Sequence, residues 1–536
     1  MNSLNHSTDD ELLALLCGLD DAGTRDSPLA PTGLDHAPLS FAQEQLWLLH
    51  QLDPQAVTYN QPRALRLRGR LSPQALEAAL NTVIDRHDIL RTAFEEHQGL
   101  ARQVVQRHAQ LNLPLIDLTG PAASTLEAHL RTEACRAFDL GCAPLLRAQL
   151  FMLEPLEHVL LLTSHHLVSD AWSNPILLAD LAQAYALALR GDSSALPRPP
   201  LQYGDFAHWQ RGAYLESAGY QQASTYWQHY LGEQLPRLEL PTDYLRGQGP
   251  TQAAGNYPIA LPATLHAEIK AYCRRTGLTP FMLLLGAWQL LLGRCSGQQD
   301  FIVGVPNAGR NQEQVQDLVG FFVNTQIYRA RLDPQQSVQT LLDGIRHHAM
   351  ATLEHADYPL EHVLGQLEHG GNGPLFHSLF NWTVANSAGT TLDLGELQLD
   401  ALNGPLPAAK FDLSLDIQAG HDQLLVSVQY DAALFSADTA ARMGQRWSQL
   451  LHALMTSPEQ AIGELSLLQE DQQQQLSQWN NTARDYPNEQ PVHRLIEAQA
   501  RLTPDATALV FGDTVLSYDQ LNRRANRLAH ALIAQG

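Results

Sequence analysis

A chain of 536 residues is longer than one hydrophobic core serves, so at least two cores are expected. Its 44% hydrophobic and 17% charged residues describe an ordinary globular composition and exclude disordered and fibrous classes. The net charge, 34 − 56 = −22, repels phosphates and disfavours both nucleic-acid and anionic-membrane partners.

The N-terminus has neither a positive n-region nor an apolar h-region, so it does not read as a signal peptide. A short helix is predicted over residues 8–19, capped by Thr8 and Glu11, with a Pro/Gly-containing linker from 22 to 38. The folded body begins at Ser40-x-x-Gln43, a second capping box. Residues 63–68 place Leu65 and Leu67 on one face and arginines on the other, the pattern of a half-buried strand. Ser72-Pro73 starts a helix that buries Leu76, Ala79, Leu80, Val83 and Ile84. Residues 91–94 and 101–105 read as strands paired around Gln98-Gly99.

Residues 160–172 carry the most chemistry: an apolar strand runs into His165-His166, and Asp170 follows four residues later. Neighbouring side chains on a strand point to opposite faces, so only one of the two histidines can serve a given channel. A histidine titrates near neutral pH, which suits proton transfer with an amine. Spacing alone favours a structural pair over a catalytic one, and no nearby Cys or Glu completes a metal site.

Breakers at 190–200 and an aromatic cluster at 203–209 precede a second segment of similar grammar. It has a strand near 256–261, helices after Pro262 and Thr279-Pro280, and a strand at 301–305. The apolar run 281–292 is too short to span a bilayer and reads as a buried helix. Beyond 478 a linker, a hairpin at 508–516 and a helix with Leu521, Ala525, Leu528, Ala529 and Leu532 on one stripe cannot bury their own faces, so the chain is expected to stop inside a further domain. Five cysteines without CxxC spacing fit a reducing cytoplasm.

The residues around His165-His166-Leu-Val-Ser-Asp170-Ala171 resemble the HHxxxDG motif of peptide-synthetase condensation domains, relatives of chloramphenicol acetyltransferase. Further motifs of that family occur in order. Ser40-Phe-Ala-Gln-Glu-Gln-Leu-Trp47 resembles SxAQxxLW, Arg86-His87-Asp-Ile-Leu-Arg91-Thr-Ala-Phe94 resembles RHxxLRTxF, and Tyr203-Gly-Asp205-Phe-Ala-His-Trp209 resembles YxDYAxW. Val319-Gly320-Phe-Phe-Val-Asn324-Thr325 resembles VGxFVNT, and His355-Ala-Asp357-Tyr-Pro-Leu-Glu361 resembles HQDYPFE. Gly373-Pro374-Leu375-Phe376 with Phe380-Asn381 resembles NPLF…FN without its charged lead-in. The tail around Leu516 and Leu521 resembles the opening motif of an adenylation domain.

The resemblance implies an α/β fold of two acetyltransferase-like lobes in a V-shaped pseudo-dimer with a central tunnel. The implied divisions are 1–38 (helix and linker), 39–215 (N-lobe), 216–478 (C-lobe) and 479–536 (linker and adenylation start). It makes His166 the catalytic histidine, with His165 and Asp170 shaping its loop and Arg86 the first candidate for Asp170's arginine. Ala171, Trp172, Asn324 and Arg147 are assigned to the substrate channel, Arg147 as a partner for a pantetheine or CoA phosphate. Ala171 stands where the family has glycine, and a positive φ there would strain it. No metal and no bound cofactor is implied in this chain. Phosphopantetheine arrives on partner carrier domains, an adenylation domain adjoins, and acyl-CoA or an upstream carrier subunit is the donor. The short prefix before the body inclines the reading towards a starter domain that N-acylates the first amino acid, with an elongation role and a non-catalytic carrier-recruiting scaffold as alternatives. Heterocyclising relatives replace the histidine pair with aspartates, and epimerising relatives follow a carrier domain; this sequence fits neither.

Overall fold

The computed structural model describes residues 29–120, 123–192, 194–232, 234–247, 249, 254–262, 264–365, 375–384, 397–402, 408–420, 423–485 and 490–536. The expected helix at 8–19, residues 22–28 of the linker after it, and Gly373-Pro374 lie outside these residues. The chain forms two compact units, one reaching Leu467 and one from Leu468 to Gly536.

The first unit is built on two large sheets and a small one. The five-stranded sheet runs Gln398–Leu402, Asn60–Arg68, Glu157–His165, Leu146–Glu154, Leu115–Asp117. The histidine strand is central, antiparallel to Asn60–Arg68 on one side and to Leu146–Glu154 on the other. Both its faces are covered: Leu160 enters one core while Val159 and Leu161 enter another. That two-sided burial explains why the strand reads as a continuous apolar run instead of an alternating one. The six-stranded sheet runs Asn324–Arg331, Asp300–Asn307, Ser378–Val384, Leu413–Ala419, Leu424–Asp431, Ala254–Ile259. Its core surrounds helix Pro280–Ser296, apolar on every side and packed with Trp447. No single helix among the described residues is long and apolar enough to cross a membrane.

Local chemistry starts these elements where the sequence predicts. Ser40 Oγ accepts from Gln43 N while the Gln43 side chain accepts from Ser40 N, capping helix Phe41–Leu52. Ser72 and Thr279 cap the helices Pro73–Arg86 and Pro280–Ser296, each with proline in the first turn. Thr92–His97 and Leu100–Val105 pair around Gln98 and Gly99, both at positive φ, as a two-residue hairpin turn requires.

Two exchanges tie the halves of the chain together. Strand Gln398–Leu402 extends the edge of the five-stranded sheet beside Asn60–Arg68. Val315, Leu318, Val319, Phe321 and Phe322 pack into the core that also holds Leu65, Leu160 and Leu167.

The second unit contains helices Glu470–Asn480 and Val492–Leu502, the hairpin Thr507–Phe511 with Thr514–Ser517, and helix Tyr518–Gln535. Ser517 and Gln520 form the capping box of that last helix, whose Leu528, Leu532 and Ile533 remain exposed.

Candidate active site

The central strand ends at His165, and the chain turns through a short 3-10 helix, His166–Val168. The turn puts the two imidazoles in different settings. His165 is buried against His50 and Phe138. Its Nδ1 accepts from Leu167 N at 3.2 Å, so the ring proton is on Nε2. Burial, then the neighbouring charges of His50, Lys410 and Arg147, push His165 down to about 3. It is a neutral cap for the turn.

His166 is half-buried, its ring 4.6 Å from that of Phe321. Its backbone N–H donates to Tyr59 O at 2.9 Å. Its Nδ1 lies 2.8 Å from the carbonyl oxygen of Ser169. A carbonyl only accepts, so Nδ1 carries the proton and Nε2 keeps its lone pair. Burial first, then the charge of Lys410, holds the imidazole well below the usual histidine range. The loop therefore presents an oriented, neutral base. Gln43 Nε2 donates to Leu167 O at 3.1 Å, so the capping residue of the first helix also props this turn.

Asp170 is fully buried and pairs with Arg310, not with Arg86. Arg310 Nη2 reaches its two oxygens at 3.1 and 3.2 Å. Ser173 N and Oγ donate to Oδ1 at 2.8 and 2.7 Å, and Phe322 N to Oδ2 at 3.2 Å. Arg310 also donates to the carbonyls of Val315 and Leu318 and lies over the Phe322 ring. The knot pins the histidine loop to residues 310–322. Close packing continues at Gly320, where a Cβ would meet Tyr203 Cδ2 at 2.0 Å. Arg86 lies instead beside Asp180 at 3.1 Å, where His87 joins it, so it anchors one helix to another away from the loop. Sequence reasoning missed Arg310 because its partner is 140 residues away and no local pattern marks the pair.

The remaining assigned residues are dispersed. Arg147 pairs with Glu133, donates to the backbone oxygens of Glu133, Arg136 and Ala137, and lies 3.7 Å over Phe138. It is committed to its own lobe, not held free for a phosphate. Asn324 Nδ2 donates to Ala356 O and Tyr358 O, and its Oδ1 accepts from Leu360 N, so its amide serves the backbone. Trp172 is partly exposed with Nε1 on Gln316 O. Ala171 is not at positive φ, so the strain anticipated for a non-glycine residue does not arise. Among the described residues no three His, Cys, Asp or Glu side chains are grouped to hold a metal ion.

Comparison with known proteins identifies the family and the fold. A family model described as the condensation domain matches residues 34–477. One of the linear gramicidin synthase subunits of Brevibacillus parabrevis is 37% identical over 97% of this chain. The chain spans only 10% of that relative's length. Among solved structures, a four-domain nonribosomal peptide synthetase bound to AMP and glycine superposes with a TM-score of 0.76 at 20% identity, covering 94% of this chain and 39% of that one. The X-domain from teicoplanin biosynthesis, solved in complex with OxyB, gives 0.74 at 26% identity, covering 85% of this chain and all of its own. The chain belongs to the condensation-domain family.

Proposed function

We propose that the domain joins a donor acyl thioester to the amine of a carrier-bound aminoacyl acceptor, with His166 as the catalytic residue. One observation carries the assignment: Nδ1–H is tied to Ser169 O, which leaves Nε2 of a neutral imidazole free on a half-buried ring. The amine nitrogen attacks the thioester carbonyl carbon, and a C–N bond forms as the carbonyl oxygen takes negative charge. The nitrogen gives a proton to Nε2, the C–S bond breaks, and the leaving sulfur receives that proton. One amine proton thus ends on the thiol. A neutral base suits this task because a protonated imidazole could not accept it. Holding both thioesters at one turn contributes further through proximity.

The reactants reach the site on phosphopantetheine arms of partner carrier domains, and residues 479–536 belong to a linker and an adjoining adenylation domain. The free thiols of Cys135 and Cys142, both exposed, suit a reducing cytoplasm. The donor is a carrier-bound acyl or peptidyl group, or acyl-CoA if the domain is a starter. Arg147 lends the starter role no support, since its guanidinium is spent on Glu133 and backbone oxygens. The test is to load the acceptor carrier with its amino acid, offer acyl-CoA or a carrier-bound donor, and seek the amide by mass spectrometry. Amide from either donor, lost in His166→Ala, supports the reading. A folded wild type that forms none overturns it.

A further inference from the structure

Only two of the 34 Lys and Arg residues are lysines, Lys270 and Lys410. Lys410 stands just ahead of strand Leu413–Ala419, with Nζ 5.8 Å from the centroid of the Tyr59 ring. Tyr59 is also the residue whose carbonyl holds the His166 backbone N–H, and the Lys410 charge acts on both histidines of the turn. Lys410 keeps exposed surface and makes no hydrogen bond or ion pair among the described residues. Its surroundings are nevertheless dense enough that burial pulls the ammonium down to about 8, with Asp416 acting in the opposite direction. Asp416 is itself held one-handed: Oδ1 accepts from Asn381 Nδ2 at 2.8 Å, while Oδ2 is buried without a partner among the described residues.

These positions leave one need of the reaction to be met. The attacked carbonyl oxygen becomes negative, and a neutral His166 supplies a lone pair but no positive charge. An arginine would stay charged at every working pH, whereas a lysine responds to its surroundings. We propose that Lys410 is a second catalytic residue of this centre, an ammonium that faces the reacting thioester carbonyl and carries the charge its oxygen gains as the amine attacks. Asp416, held by Asn381, makes no direct contact with the ammonium and acts at longer range, its carboxylate favouring the charged form. The proton still passes from the amine through His166 to the leaving sulfur, and Lys410 begins and ends the cycle protonated. The proposal rests on the amide-forming reading above.

The groups that bear on this ammonium and its turn are Asp416, Tyr59, His165 and His166, with His50 and Arg147 acting through His165. The experiment measures kcat and KM for amide formation against pH in the wild type, Lys410→Met, Lys410→Arg and Asp416→Asn. Lys410→Met should lower kcat about 100-fold with KM within about twofold, the scale of one lost oxyanion donor. Lys410→Arg should keep kcat within about tenfold, and the fall in rate above pH about 8 should disappear, because arginine stays protonated. Asp416→Asn should move that fall to lower pH. Melting temperatures control for folding, since Lys410 contributes no hydrogen bond. Wild-type kcat in Lys410→Met, with His166→Ala inactive, overturns the proposal and leaves the amide-forming reading standing. A wild type inactive with every donor overturns both.

Discussion

Asp170 and His166 sit four residues apart on one loop and are held on opposite terms. Asp170 is fully buried, and its two oxygens share Arg310, Ser173 and Phe322. His166 has one ring nitrogen tied to Ser169 and the other left open on a half-buried ring. The aspartate side is finished and rigid; the histidine side keeps one unspent acceptor. A short motif therefore contains two devices: a clasp that joins distant parts of the chain, and a base that the clasp holds in place. His165 belongs with the clasp, because its Nδ1 is used to cap the turn and its ring is buried.

The comparison can be broken at the clasp first. Asp170→Ala leaves the Arg310 guanidinium buried without its counter-charge, at a cost of roughly 3–5 kcal/mol. Chemical denaturation should show that loss, and an unchanged midpoint would remove Asp170 from the structural role. On the other side of the loop, His166→Ala should slow amide formation by about 100- to 10,000-fold, the range of a positioned general base. The melting temperature should hardly change, and turnover at the wild-type rate in a folded variant would dismiss His166.

His165 sharpens the division through pH. Its folded value of about 3 lies below the ordinary 6.5, so the unfolded chain binds a proton that the folded chain refuses. Its contribution is fully present above pH 6.5 and is lost as pH falls towards about 3, at about 1.4 kcal/mol per pH unit. His165→Asn retains an acceptor for Leu167 N and cannot titrate in this window. Its stability should therefore fall less steeply with acid, as urea melts at several pH values would record. An equal slope would place the protonation elsewhere. The smallest effect is expected at Ala171. With no positive φ there, Ala171→Gly should change stability by no more than about 1 kcal/mol and leave kcat near wild type. A large gain in rate would show that alanine distorts the loop.

Much of this was legible in the sequence where the signal is local. The Ser40/Gln43 box, Ser72-Pro73, Thr279-Pro280 and the Gln98-Gly99 turn each act within a few residues, and each appears where its pattern predicts. The motif histidines likewise fall at the end of a buried strand. Pairings that depend on the fold were not legible. Arg310 meets Asp170 across 140 residues, while Arg86, attractive by its place in a motif, is taken by Asp180. The edge strand Gln398–Leu402 is short, and only its alignment with Asn60–Arg68 identifies its sheet. Lys410 carries no motif signal of its own; its interest comes from Tyr59 and Asp416, which the fold brings near it.

The central claim is that the loop holds His166 as a neutral imidazole protonated on Nδ1. Nitrogen-15 NMR of the histidine rings tests it most directly, with His166→Ala identifying the resonance by its disappearance. The account predicts a neutral Nδ1–H tautomer that stays unprotonated as pH is lowered from 8 to below 6.5, because burial and Lys410 disfavour the cation. A His166 ring that titrates near 6.5, or carries its proton on Nε2, would contradict it.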